Sequence, residues 1–115
     1  MNPSESRIQS QCVRWYTNTY CLTSHTPRNI IWHTPNENQH RHVNLGVLAG
    51  VPDLCVLHNG ELIFIEMKDH KGTLRKGQID FKERVEAHGV KWFLCRSEES
   101  FKEIIKSVDK AQQVI

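Results

Sequence analysis

Three charged residues lie at matching ends of two apolar segments that a tight turn separates. Asp53 opens the first segment, Glu66 and Lys68 close the second, and Asn59-Gly60 lies between the segments. Asn-Gly between apolar runs predicts a β-hairpin with a two-residue loop. Counting outward from that loop pairs Asp53 with Glu66, as a non-hydrogen-bonded pair with Cα atoms roughly 4.5 Å apart. Lys68 projects to the same face, because side chains two residues apart in a strand share a face.

These charges suit a metal-assisted reaction on a phosphodiester. Two carboxylates this close repel each other, and their oxygens suit a hard cation such as Mg²⁺ or Mn²⁺. A backbone carbonyl, such as that of Met67, would add a further oxygen. A metal-bound water with a lowered pKa, beside the Lys68 cation, suits phosphodiester hydrolysis. A strand-end salt bridge from Glu66 to Lys68, with Asp53 nearby, accounts for the same residues, and the hairpin alone leaves both interpretations open.

The elements that must position these residues follow from the apolar pattern along the chain. Helices are predicted to begin at Ser4, Thr73 and Ser97, each of which is a good N-cap residue. Strands are predicted over residues 28–34, 53–57, 61–68 and 90–95. Both faces of the hairpin strands are apolar, so helices should cover both sides of the sheet. The order α-β-β-β-α-β-α predicts an α/β domain with a mixed central sheet flanked by helices.

Two polar residues lie in the inward-facing stripes of these predicted helices. Glu5 extends the stripe of the first helix, which is expected to run to about Tyr20. Gln78 is the polar member of the stripe in the second helix, which Gly89 is expected to end. An ordinary explanation stays open for Glu5, because acidic residues stabilise the first turn of any helix.

The composition is that of an ordinary globular domain. The chain has 115 residues, of which 38% are hydrophobic and 24% charged, and its formal net charge is +2. That length is enough for one domain with one modest core. No run is long enough to cross a membrane and no secretory signal peptide is found, and four dispersed cysteines favour reduced thiols. We therefore expect residues 1–115 to form a single cytoplasmic domain.

An ordered set of short motifs resembles a known nuclease family. G-V-P-D (50–53) followed by I-E-M-K (65–68) resembles the PD-(D/E)XK nuclease signature. Together with H-T-P-N-E (33–37), L-R-K-G-Q (74–78) and H-G-V (88–90), the pattern is similar to the VRR-NUC family. This is the virus-type replication-repair nuclease family, in the short stand-alone form found in phages and bacteria. The resemblance extends from Glu5 to about Arg96.

The resemblance implies a Mg²⁺- or Mn²⁺-dependent DNA endonuclease with a PD-(D/E)XK core. Asp53, Glu66 and the carbonyl of Met67 would be metal ligands, and Lys68 would be the catalytic lysine. Stand-alone members look like Holliday-junction resolvases that act as homodimers. The expected partners are therefore branched DNA and a second copy of the chain, in the cytoplasm of a bacterial or phage-infected cell.

The resemblance also gives roles to the polar residues of the two helices. Gln78 matches the glutamine of the family and would orient the metal–water shell or the active-site end of the sheet. Glu5 matches the acid often found on the first helix of the family. Four basic residues close to the site in sequence would contact DNA phosphates: Arg41, Lys71, Arg75 and Lys76.

A histidine-rich segment, residues 33–42, raises two other kinds of site. No Cys or His pair in the chain has zinc-finger spacing, which disfavours structural zinc, and an HNH-like centre lacks a second His-bearing element. A solvated loop facing DNA is the favoured interpretation. The alternatives to a junction-cutting enzyme are a flap or restriction-type endonuclease and a non-catalytic DNA-binding module of the same fold.

Overall fold

In the part of the chain that the structure describes, three α-helices and four β-strands follow one another in the predicted order. The structure, a computed structural model, describes residues 2–22, 28–35, 46 and 48–113. The elements are α1 (Pro3–Tyr16), a π-helical turn (Thr17–Cys21), β1 (Ile30–His33), β2 (Leu54–His58), β3 (Glu61–Met67), α2 (Lys76–Ala87), β4 (Lys91–Cys95) and α3 (Glu98–Gln113). None of the helices in these ranges is long and apolar enough to cross a membrane.

The four strands form one mixed sheet in the order β1-β2-β3-β4. β1 and β2 pair antiparallel, as do β2 and β3, whereas β4 runs parallel to β3 with α2 as the crossover helix. The hairpin register is the predicted one, with His58 facing Glu61. Asn59 and Gly60 both adopt positive φ angles, of 51° and 84°, as a tight hairpin turn requires.

Helices cover both faces of the sheet, as the apolar strands predict. On one face, α1 and α3 pack against the strands in a single core whose buried members are Cys12, Tyr16, Leu54, Val56, Ile63, Ile65, Met67, Cys95, Phe101, Ile104, Ile105 and Val108. On the other face, α2 packs Phe81 edge-on against Phe64, with ring centroids 5.1 Å apart. The second face carries the candidate chemistry, because Glu66 and Lys68 lie on the same side of β3 as Phe64.

The predicted starts of the first two helices are wrong by a few residues. α1 is capped by Asn2, whose side-chain oxygen accepts the Glu5 N–H at 2.9 Å, and not by Ser4. Pro3 explains this start, because proline is favoured at the first helical position, where its missing N–H costs nothing. α2 begins at Lys76 and not after Thr73.

The predicted start of α3 and the predicted end of α2 are confirmed. The Ser97 hydroxyl accepts the Ser100 N–H at 3.0 Å, so Ser97 caps α3 as expected. Gly89 ends α2 with a φ of 79°, and the Val90 N–H returns to the Val85 carbonyl at 3.1 Å. This six-to-one bond with glycine in the left-handed region is the Schellman arrangement.

A buried histidine ties the hairpin turn to the helices at the end of the sheet opposite Asp53. His58 is fully buried, with Nδ1 2.7 Å from the Tyr16 hydroxyl and Nε2 2.6 Å from Asp109 Oδ1. A carboxylate only accepts hydrogen bonds, so Nε2 carries the proton that Asp109 accepts. Tyr20 packs edge-on against the same ring, with centroids 5.0 Å apart.

Asp109→Ala should lower the free energy of unfolding by about 1–3 kcal/mol, because it leaves the buried His58 N–H without its acceptor. Denaturant titration measures the change. Asp80→Ala is the matched control, since Asp80 pairs with Arg84 at 3.6 Å on the exposed side of α2 and should cost less than about 0.5 kcal/mol. Equal losses in the two variants would contradict the importance of the buried bond.

Candidate active site

Asp53 is held at the end of the sheet by contacts to both neighbouring strands. Its side-chain Oδ2 accepts the N–H of Met67 at 2.9 Å, and its backbone carbonyl accepts the N–H of Thr34 at 2.9 Å. Leu54 and Ile65 form the last regular pair of the hairpin, so Asp53 and Glu66 face each other one step beyond it. The predicted register therefore places the two acids side by side.

Glu66 is a buried carboxylate that its neighbours satisfy only in part. It is 3% exposed, and its Oε2 accepts the Gln78 amide N–H at 3.3 Å. Its Oε1 is buried and has no hydrogen-bond partner among the described residues. Burial, and then the neighbouring Asp53 carboxylate, raise the pKa of Glu66 to about 9. An ionised Glu66 therefore needs a further cation at this point.

Lys68 supplies only part of that positive charge. Its side chain is 10% exposed, and its Nζ lies 4.0 Å from Glu66 Oε2, at the outer limit of an ion pair. Its backbone N–H donates to the Cys95 carbonyl at 3.0 Å and so continues the β3–β4 pairing. This ion pair involves only Oε2, so Oε1 of Glu66 stays unpaired. Burying an unpaired charge is costly.

Gln78 connects the start of α2 to Glu66. Its side-chain oxygen accepts the Arg75 N–H at 2.8 Å, and its amide nitrogen donates to Glu66. The first bond is the reciprocal half of a capping box, which explains why α2 begins at Lys76. Gln78 thus caps its own helix and contacts the predicted acid at the same time.

Glu5 lies near the site on the first turn of α1. It is half-buried, and its negative charge adds to those that raise the pKa of Glu66. The start of α1 is tied to the segment after Lys68, because the Asn2 side-chain amide donates to Asp69 Oδ2 at 3.1 Å. The structure therefore brings Glu5 within electrostatic reach of Glu66.

The turn after Lys68 is fixed by residues that the sequence motifs do not indicate. Asp69 Oδ1 accepts the N–H groups of Lys71 and Gly72 at 2.9 and 2.8 Å, and these bonds hold the pKa of Asp69 below its usual value. Arg96 donates from Nη1 to the carbonyls of Asp69 and Gly72 at 2.6 and 2.8 Å. Spacing along the chain does not indicate these contacts, which form because β4 runs parallel to β3 and ends beside it.

Three of the four predicted DNA-binding residues surround the turn and the start of α2. Lys71, Arg75 and Lys76 are exposed, and none of the ion pairs within the described ranges involves them. The lysines further along α2 and on α3 differ, since Lys82 pairs with Glu86 and Lys102 with Glu98. Arg41 lies outside the described residues, as does most of the histidine-rich segment.

Comparison with known proteins assigns the chain to a family. The family model of the VRR-NUC domain matches residues 3–99. The chain belongs to the VRR-NUC family. Its members are nuclease domains of the PD-(D/E)XK type, which bind DNA and generally use divalent metals.

Two solved structures share the fold of this VRR-NUC domain. One, titled VRR_NUC domain, superimposes with a TM-score of 0.65 at 20% identity and covers 91% of this chain and 97% of that one. The other, titled VRR_NUC domain protein, has a TM-score of 0.67 at 19% identity and covers 91% and 84%. No curated protein matches the chain.

The oxygen atoms of this VRR-NUC site fit a hard divalent cation. Met67 donates its N–H toward Asp53, and the N–H and C=O of a strand residue point the same way, so its carbonyl faces the same side. Together with the unpaired oxygen of Glu66, these groups form an all-oxygen set of the kind Mg²⁺ and Mn²⁺ accept. Among the described residues, no three His, Cys, Asp or Glu side chains converge on one point.

Proposed function

We propose that this VRR-NUC domain is a metal-dependent, structure-specific DNA endonuclease in which Asp53, Glu66 and the Met67 carbonyl bind Mg²⁺ or Mn²⁺. The observation that carries the proposal is the buried Glu66 oxygen left without a partner beside a second carboxylate. A purely structural acid at this position would be expected to have its hydrogen bonds satisfied. The remaining ligands would be waters, as is usual for Mg²⁺.

Each neighbouring side chain has a role that follows from its position. A bound divalent cation would polarise the scissile phosphate and lower the pKa of an attacking water. The Lys68 side chain, whose Nζ lies 4.0 Å from Glu66, would orient that water or, as the neutral amine, accept a proton from it. In its ammonium form it would stabilise the negative charge that develops on the phosphate. Gln78 would hold Glu66 in its orientation through the 3.3 Å bond, and Glu5 would orient metal-bound water from the first helix.

The DNA backbone would lie across the exposed cations at the mouth of the site. Lys71 is on the turn held by Arg96, and Arg75 and Lys76 are at the start of α2, next to Gln78. With Arg41 they would contact phosphates on either side of the scissile bond. The helix start adds a positive dipole end, which also favours a phosphate.

A branched DNA substrate and a homodimer complete the proposal. Because the chain resembles the stand-alone form of the family, we expect it to act like a junction resolvase, and two symmetric active sites suit a junction in which two strands must be cut. A cytoplasmic location in a bacterial or phage-infected cell would give access to such DNA. Flap cleavage, restriction-type cleavage and DNA binding without catalysis are the competing outcomes of the experiment below.

We expect symmetric cutting of a four-way junction in Mg²⁺ or Mn²⁺, faster than cutting of a flap, a plain duplex or a single strand of matched sequence. The wild type and Asp53→Ala are assayed side by side, with EDTA as the metal-free control, and light scattering gives the oligomeric state. Loss of cleavage in Asp53→Ala would support the site. Binding of DNA without metal-dependent cleavage of any substrate would overturn the enzymatic proposal.

A further inference from the structure

Two glycines bring the backbone before Asp53 directly against the first turn of α2. Gly50 has a φ of +83°. A methyl group at Gly50 would overlap the carbonyl of Gly77 and would lie 2.9 Å from the backbone nitrogen of Gln78. Real side chains do not approach backbone atoms this closely, so any side chain at this position requires α2 or the loop to move.

An added methyl group would clash at Gly50 but not at Gly77, so the close contact depends on the glycine at position 50. A methyl group at Gly77 would meet Gly50 at 3.9 Å and Ala49 at 4.0 Å, which are ordinary van der Waals distances. The backbone before Asp53 can therefore lie against the Gly77 carbonyl only because Gly50 has no side chain. Only glycine at position 50 allows the two backbones this separation.

The two segments in contact carry the two side chains that flank Glu66. Asp53 follows Gly50 by three residues and is fixed to the sheet through Met67 and Thr34, while the intervening Pro52 is fully buried. The loop is thus anchored, and α2 is the element that would move. Gln78 reaches Glu66 across only 3.3 Å, and a small outward shift of α2 would break that bond.

We propose that Gly50 is a positioning residue for the nuclease site, which acts by setting the distance from the start of α2 to β3 so that Gln78 contacts Glu66. This inference rests on the proposed function for its effect on the reaction. The contact itself, and its effect on the Gln78 side chain, do not depend on what the site cleaves.

Gly50→Ala should lower kcat for DNA cleavage by about tenfold to a hundredfold, because small displacements of site residues have effects of this size. KM should change less than kcat, because the exposed Arg75 and Lys76 side chains that move with α2 are long and can still reach a phosphate, whereas Gln78 must reach Glu66 across 3.3 Å. Gly60→Ala is the matched control: Gly60 has a φ of +84° and a methyl group there meets nothing within 4 Å. It carries the same backbone strain and should leave kcat unchanged. Equal kcat values for the two variants would overturn the inference.

A double-mutant cycle separates positioning through Gln78 from general damage. If Gly50 acts through Gln78, Gly50→Ala should cause no further loss of kcat in a Gln78→Ala background. Losses that multiply would show that Gly50 acts by another route and would overturn the inference.

An NMR measurement tests the contact without relying on catalysis. The side-chain NH₂ resonances of Gln78 should shift in Gly50→Ala and stay in place in Gly60→Ala, because only the first variant releases the bond to Glu66. Unchanged resonances in both variants would overturn the inference. If the wild type cleaves no DNA but Gly50→Ala still shifts the Gln78 resonances, the proposed function is overturned and the contact is supported.

A second variant covers the case in which Gly50→Ala does not fold. Gly77→Val should push α2 away from the loop from the helix side. A Cβ at position 77 already lies 3.9 Å from Gly50, and the two methyl groups of valine extend beyond it. It should reproduce the loss of kcat and the Gln78 shifts relative to Gly60→Ala. A folded Gly77→Val with wild-type kcat and unshifted Gln78 resonances would contradict the inference.

Discussion

Glu66→Gln should abolish metal-dependent cleavage and, without metal, make the fold more stable at pH 8. Glutamine has nearly the shape of glutamate but brings no charge into a site where the carboxylate is 3% exposed and faces Asp53. Glutamine therefore removes a metal ligand, and it also removes the cost of keeping a buried carboxyl protonated at pH 8. Few variants are expected to gain stability while losing all function, so the pair of effects is diagnostic.

The pH dependence of the stability gain follows from the direction of the pKa shift. Glu66 has a pKa of about 9 in the folded chain and near 4.5 when unfolded. Between those values the folded state holds a proton that the unfolded state has released, so wild-type stability falls as pH rises, by at most about 1.4 kcal/mol per pH unit from this group. Glu66→Gln should lack this decline. Denaturant titrations from pH 5 to pH 9 measure the difference.

Added Mg²⁺ should offset the loss of stability at high pH in the wild type but not in Glu66→Gln. Mg²⁺ binds the ionised carboxylate, so adding it should raise the melting temperature of the wild type, and more at pH 8 than at pH 6. Glu61→Gln is the matched control on the same strand, because Glu61 pairs with Lys91 at 3.0 Å at the far end of β3. Wild-type cleavage by Glu66→Gln would contradict the site assignment.

The hairpin and its acid pair were predictable from sequence because their geometry is local. Asn59-Gly60 fixes the loop length, loop length fixes the register, and the register determines which residue faces Glu66. Each step depends on residues close together along the chain. The start of α1 was also available locally, because Asn2 before Pro3 is a better start signal than Ser4.

The remaining parts of the site depend on packing between distant segments. Arg96 reaches the turn after Lys68 only because β4 lies parallel to β3, and Asn2 reaches Asp69 only because α1 crosses the end of the sheet. The contact of Gly50 with Gly77 has no periodic pattern, since Gly50 lies in a loop and Gly77 lies in the first turn of α2. Such contacts follow from tertiary structure and not from spacing.

Lys68→Met should lower kcat for DNA cleavage by about 10²–10⁴-fold while leaving the fold intact. Methionine keeps most of the aliphatic length that fills this largely buried position, but it removes the ammonium 4.0 Å from Glu66. The Glu66 carboxylate should then hold its proton more tightly, because Lys68 is the cation that lowers its pKa. Metal binding should weaken modestly at neutral pH and recover as pH rises.

A comparison with Lys71→Met distinguishes catalysis from phosphate binding. Lys71 is exposed on the turn after β3, so its loss should raise KM and reduce the salt dependence of binding with little change in kcat. Lys68→Met should show the opposite pattern, with kcat lost at saturating DNA and metal. If Lys68→Met instead keeps a wild-type kcat in saturating Mg²⁺ at pH 9, the lysine only neutralises Glu66, and another group must orient the water.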